Sequence, residues 1–131
     1  GNSCRSQMAE GWARHLKSHS IQAFSAGLEA QGLNPNAVEV MQESGVDIAS
    51  QKSQKVEEVE TIPFDFVITV CGHADEYCPV FSCSTTVVHI GFDDPPKLAK
   101  NAKTDEESLN HYRRVRDEIR TFVETLPKVL W

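Results

Sequence analysis

The chain has 131 residues, 40% hydrophobic and 24% charged, the proportions of one ordinary globular domain large enough to bury a core. Its net charge of −6 and pI of about 5.3 argue against nucleic acid as a partner, and no apolar run approaches the roughly 20 residues of a membrane helix. Four cysteines admit structural disulfides, a metal site or redox chemistry, and a cytoplasmic origin favours the last two.

The first segment, Gly1-Asn2-Ser3-Cys4-Arg5-Ser6, has the make-up of the back half of an anion loop. Glycine lets backbone approach an oxyanion, small polar residues leave amides free to point inward, and Arg5 can clamp two oxygens. A helical pattern begins at Ser6, so the positive end of a helix dipole would face the same anion. Read as a bland feature instead, Arg5 is a surface arginine. A loop of this kind follows a hydrophobic strand, so Gly1 is read as a cut inside a motif, with that strand upstream.

Met8, Trp12, Ala13 and Leu16 recur at helical spacing and predict a helix over 6–19. Ile21-Gln22-Ala23-Phe24-Ser25 alternates and stops at Gly27, which predicts a short strand. Asn34-Pro35 supplies a cap and a first-turn proline for a second helix carrying Ala37, Val38 and Met41, with Gly45 as its stop. A short acidic helix is expected over 53–60. The run 64–71 is apolar almost throughout, as buried parallel strands are, and 85–90 predicts another such strand. After Gly91-Phe92-Asp93-Asp94-Pro95-Pro96, residues 97–104 read as a polar linker. A last helix is predicted over 105–126, with Leu109, Tyr112, Val115, Ile119, Phe122, Val123 and Leu126 on one face.

Strands alternating with helices imply an α/β domain with a parallel sheet and helices on both faces. In such a sheet ligands collect at the carboxyl ends of the strands. Three segments reach that edge: the loop 1–6, Cys71 and Asp93-Asp94-Pro95.

Gly1 through Gly11, the Cys71-x6-Cys78-Pro79 pair and Gly91-Phe92-Asp93-Asp94-Pro95, in that order, resemble the thioredoxin-coupled arsenate reductases. That family shares the fold of the low-molecular-weight tyrosine phosphatases. The likeness spans nearly the whole chain, the final helix included. It implies a three-layer domain over 1–131 with a four-stranded parallel sheet, the first strand lying upstream of Gly1. Without that strand, three strands with a central gap are expected. The family's loop is Cys-x5-Arg. Arg5 matches its arginine, which places the nucleophilic cysteine two residues before Gly1.

The resemblance further implies that Arg5 and the loop amides of Gly1, Asn2, Ser3, Cys4 and Ser6 hold arsenate, and that Asp94 is the general acid. Cys71 and then Cys78 carry the oxidation onward, and thioredoxin reduces the Cys71–Cys78 disulfide. No cofactor and no resident metal are implied, and the expected form is a cytoplasmic monomer. Some family members bind potassium near this loop, with Glu10 among the surroundings. Here Lys52 stands where others offer oxygen ligands, so no cation is expected and the lysine would replace its charge.

Plainer readings stand beside these. Cys71 could be a buried strand-end thiol and Cys78 an unrelated loop thiol. Cys71, His73, Cys78, Cys83 and His89 are zinc ligands by type, yet no Cys-x2-Cys knuckle joins them. Cys4 reads as a loop thiol open to oxidation, Cys83 as inert or a competitor for Cys78, and Asp93 as structural. Asn2 and Ser25 are expected to hold the loop by hydrogen bonds. Arg113, Arg114 and Arg116 read as a solvated face. The closest competing function is a low-molecular-weight tyrosine phosphatase, but Pro96 and Lys97 follow the Asp-Pro step where such phosphatases carry an aromatic residue.

Overall fold

A computed structural model describes residues 4–27, 32–59, 61–70 and 86–128. Helix α1 (Arg5–Leu16) buries Met8, Trp12 and Ala13, the stripe its spacing predicts. It ends three residues earlier than expected, where Lys17 N–H closes on Ala13 O at 2.9 Å and a turn follows.

Helix α2 (Pro35–Glu43) starts as its sequence dictates. Asn34 Oδ1 accepts from the amides of Asn36 (2.9 Å) and Ala37 (3.3 Å), and Pro35 occupies the first turn, where a missing N–H costs nothing. It stops in a Schellman turn. Gly45 adopts φ +81°, its N–H bonds Gln42 O, and Val46 N–H reaches back to Met41 O at 3.0 Å while both side chains are buried.

The acidic helix expected over 53–60 contracts to a single 3₁₀ turn, Val56–Glu58. A bridge between Gly27 and Lys55 holds Lys55 extended, and Glu58 folds back onto the Lys55 amide at 2.7 Å, so no longer helix can start there.

Strands β1 (Phe66–Thr69) and β2 (Thr86–His89) pair in parallel with Phe66 opposite Thr86 and Thr69 opposite His89. Across the last rung Thr69 Oγ1 and His89 Nδ1 share a hydrogen bond. Residues 21–26 are not a ladder strand. The segment runs without regular pairing until Gly27, whose N–H and C=O bond Gln54 O and Val56 N–H. The described sheet therefore has two strands, and the third expected over 21–25 forms no ladder among the described residues.

A short helix, α3 (Pro95–Ala99), takes up the start of the segment expected as a polar linker over 97–104. Asp94 followed by proline is itself a helix-start signal, and it was there to be read. Helix α4 (Asp105–Glu124) opens on Thr104, whose side chain accepts from Glu107 N–H at 3.1 Å.

α4 is the hub of the fold, packing on α1, α2 and α3. Tyr112, Val115, Ile119 and Val123 are buried against Met8, Trp12, Val40 and Met41. Polar ties fix the same junction. Trp12 Nε1 donates to Arg116 O (3.1 Å), Arg116 Nη1 donates to Val40 O (2.9 Å), and the Arg120 guanidinium stacks 5.1 Å from the Trp12 ring. Arg116 and Arg113 also grip Glu43 of α2, so these two arginines belong to an interhelix junction rather than a merely solvated face. No described helix is long and apolar enough to cross a membrane.

Candidate active site

The candidate site forms where α1 begins and both strands end. Cys4 is the N-cap of α1, its side chain caps nothing, and the first turn carries no acidic residue. The helix end thus keeps its positive polarity toward the loop, with no carboxylate to compete with an anion.

Arg5, the first helical residue, turns back over the strand ends. Its Nη1 donates to Phe92 O at 2.9 Å and to Val70 O at 3.2 Å, and its Nε lies 3.8 Å from Asp94 Oδ1. One guanidinium therefore joins the helix start, the residue before Cys71 and the loop after β2. At 15% side-chain exposure Arg5 is shielded from water, so its charge acts in a low-dielectric setting.

Asp94 is directed at Arg5 because its own helix gives it little else to do. As N-cap of α3 it would ordinarily accept from the second or third amide of the helix. Here the first two helical residues are Pro95 and Pro96, which have no N–H, and Lys97 N–H bonds the Asp94 main-chain oxygen at 3.1 Å. The carboxylate makes no capping bond. The loop is seated by Phe92, buried in the core with its ring edge-on to Phe122 at 6.2 Å, and by buried Pro95.

Cys4 lies below this surface at 5% exposure. Burial first, and then the Asp94 charge, push its thiol up to about 12, with Arg5 opposing weakly. At neutral pH it is a protonated core thiol, which removes the open, oxidisable character read from the sequence. Tyr112 stands nearby. Its hydroxyl accepts from Asn34 Nδ2 at 3.1 Å, and burial raises its pKa, with Cys4 and Asp94 adding to the rise.

Glu10 tests the cation expectation. It is buried, its Oε1 accepts from Ser25 Oγ at 2.6 Å, and its Oε2 pairs with Arg14 Nε at 3.0 Å. Gln54, nearby, turns its amide nitrogen, a donor, onto Ser25 O. Each carboxylate oxygen thus meets one protein donor. The charge beside Glu10 is Arg14; Lys52 instead pairs with Glu58 at 3.2 Å. Ser25 thus supports Glu10, and Asn2, expected to hold the loop with it, lies outside the described residues.

Of the sequence-predicted site residues, Arg5 and Asp94 are brought together, Cys4 is buried beside them, and Ser6 is the second residue of α1. Gly1, Asn2, Ser3, Cys71 and Cys78 lie outside the described residues, as do His73 and Cys83. Among the described residues no group of three or more His, Cys, Asp or Glu could hold a metal ion. The Val70 and Phe92 carbonyls are not legible in the residue order, because a main-chain acceptor carries no residue-type signature. Nor is the partner of Asp93, which is Arg114 of α4 at 2.9 Å.

Known proteins resemble this chain in sequence and in fold. The family profile for low molecular weight phosphotyrosine protein phosphatases matches residues 1–130. A protein of Halalkalibacterium halodurans named arsenate reductase is 49% identical over 129 residues, covering 95% of this chain and 91% of that one. Among solved structures, an arsenate reductase in the phosphate binding state superposes with a TM-score of 0.77 at 35% identity, covering 95% of this chain and 88% of the other. An arsenate reductase in the oxidized state reaches 0.78 at 32% identity, covering 99% and 92%. The chain therefore has the α/β fold of the low molecular weight phosphotyrosine protein phosphatases, belongs to that family, and is homologous to its arsenate reductases.

Proposed function

We propose that the protein reduces arsenate to arsenite by a cysteine relay, as one domain over 1–131 acting as a cytoplasmic monomer. The observation that supports this most is the meeting of Arg5 and Asp94 at the carboxyl ends of β1 and β2. An oxyanion clamp and a proton donor stand there together in a family whose relatives are named arsenate reductases. The sheet inferred for the complete fold has four strands, with a strand ahead of Gly1 and the segment 21–25 completing β1 and β2.

The nucleophile is a cysteine two residues ahead of Gly1, held as a thiolate by the loop amides, the start of α1 and Arg5. Gly1, Asn2, Ser3, Cys4 and Ser6 contribute that amide cradle. The thiolate attacks arsenic, an As–O bond breaks, and Asp94 protonates the departing oxygen, which leaves as water. The Cys71 thiolate then attacks the sulfur of the arseno-cysteine. The S–As bond breaks with its electron pair going to arsenic, so As(V) leaves as As(III) arsenite and a disulfide to Cys71 remains. The Cys78 thiolate attacks the Cys71 sulfur and frees the nucleophile. The Cys71–Cys78 disulfide is reduced by the dithiol of thioredoxin through exchange. In sum, arsenate and two thiols give arsenite, water and one disulfide.

A phosphatase reading shares the loop, Arg5 and Asp94 but uses neither Cys71 nor Cys78. The experiment is arsenate-dependent NADPH oxidation with thioredoxin and thioredoxin reductase, using protein that carries the loop cysteine, beside its Cys71→Ser variant. Turnover that vanishes in the variant supports the relay. No turnover, with p-nitrophenyl phosphate hydrolysed equally by both proteins, makes the chain a phosphatase.

A further inference from the structure

We infer that Arg114 is a positioning residue for Asp94, holding the acid toward Arg5 by gripping its neighbour Asp93 from the side. The inference rests on the reading of Asp94 as general acid.

The loop after β2 is anchored at both ends. Phe92 is sunk in the core with its carbonyl on Arg5, and Pro95 is buried at the start of α3. The freedom left between them is rotation about Asp93 and Asp94. The backbone at Asp94 is extended, with φ −92° and ψ 104°, and Asp93 is the residue joined directly to it. Asp93 is held by Arg114 while Asp94 faces Arg5, so fixing Asp93 limits how the backbone can turn Asp94 away. The second proline of α3 removes one capping amide and Lys97 N–H goes to the Asp94 main-chain oxygen, so no capping bond orients the Asp94 carboxylate and its direction depends on its neighbours.

Arg114 supplies the fixing. Its Nη2 donates to Asp93 Oδ2 at 2.9 Å, and its Nη1 to Glu118 Oε2 at 2.8 Å. Glu118, one turn on in α4, orients the guanidinium, and α4 is bedded in the core through Val115 and Ile119. The positive charge also offsets Asp93 beside the reacting acid. With side chains 44% and 55% exposed, this ion pair adds little to folding stability. Its effect belongs in geometry, where a small misplacement of a catalytic group is costly.

The test uses enzyme carrying the loop cysteine, with Arg114→Gln, Arg114→Lys, Asp94→Asn and the Arg114→Gln/Asp94→Asn pair. Each is assayed on arsenate with the thioredoxin system, and on phenyl phosphate and p-nitrophenyl phosphate. The expected result for Arg114→Gln is a kcat lowered about 5- to 20-fold at constant KM and unchanged melting temperature. The loss should be larger on phenyl phosphate, whose poor leaving group needs the proton, and Arg114→Lys should restore most of it. Adding Arg114→Gln to Asp94→Asn should cost nothing further.

The inference is overturned if Arg114→Gln changes kcat by less than about twofold, or if its loss persists undiminished in the Asp94→Asn background. A loss that follows a falling melting temperature without rescue by lysine overturns it as well. Failure of arsenate turnover alone, with Asp94-dependent ester hydrolysis intact, counts against the reductase reading and leaves the Arg114 test readable. No Asp94-dependent activity on any substrate overturns both.

Discussion

Arg5 Nε and Asp94 Oδ1 stand 3.8 Å apart, and the same guanidinium holds the carbonyls of Phe92 and Val70. A residue read from sequence as an anion clamp is therefore also the structural tie between helix start and strand ends. A planar fork can serve both tasks at once, whereas an ammonium is a point charge with no fork to divide between two carbonyls and an oxyanion.

Arg5→Lys separates these tasks from simple charge. The substitution keeps the charge and loses the fork, so kcat/KM for arsenate is expected to fall by about 10²-fold or more, the loss typical of removing one oxyanion donor. Phosphate binding, followed by isothermal titration, should weaken in step. Wild-type affinity in the lysine variant would show that Arg5 only shapes the loop.

Asp94→Asn is expected to lower kcat by about 10²-fold with little change in KM, because an amide accepts and donates hydrogen bonds but does not release a proton to the leaving oxygen. Steady-state kinetics on arsenate and on phenyl phosphate measure it. A change confined to KM would assign Asp94 to binding.

The helices were legible because their signals are local. Asn34-Pro35, Gly45, and the stripe Tyr112, Val115, Ile119 and Val123 each state their role within a few residues, and the structure uses them so. The approach of Arg5 to Asp94 could be anticipated from topology, since parallel strands deliver their following loops to one edge. What stayed hidden depends on long-range geometry. Arg114 looks like a solvated arginine until α4 is laid beside the Asp93 loop, and Arg14 rather than Lys52 meets Glu10 because one helical turn separates them. The segment 21–25 alternates as a strand should, yet alternation reports which side chains are buried and not which backbone groups pair.

Cys4 predicts a weakening of the fold at alkaline pH. Its thiol is pushed up to about 12 by burial, against an ordinary value of 9.0, so the folded state holds the proton more tightly than the unfolded state. Stability from this group is fully present below pH ~9 and is lost as pH rises toward 12, by at most roughly 4 kcal/mol over the whole window. Tyr112, also raised by burial, acts in the same direction. Urea midpoints should change little between pH 8 and 9 and fall clearly from pH 9 to 10 and 11 for the wild type, and fall less steeply there for Cys4→Ala. Parallel curves for the two proteins would remove Cys4 from the cause. At pH 8 the native Cys4 should also resist alkylation that proceeds readily in urea.

Gly11 predicts a stability loss at a site far from any chemistry. It lies inside α1, where alanine would ordinarily gain about 1 kcal/mol of helix propensity. A Cβ there would meet Ile48 Cγ2 at 2.5 Å and Met41 Cε at 3.2 Å. Ile48 is fully buried and β-branched, so its methyl cannot swing away without moving its neighbours. Overpacking of this kind costs about 1–3 kcal/mol, which exceeds or cancels the propensity gain. Gly11→Ala should therefore lower the urea midpoint, and by less in an Ile48→Ala background, which lacks the clashing Cγ2. A stabilised Gly11→Ala would mean that α1 and the segment around Ile48 sit farther apart than this packing requires.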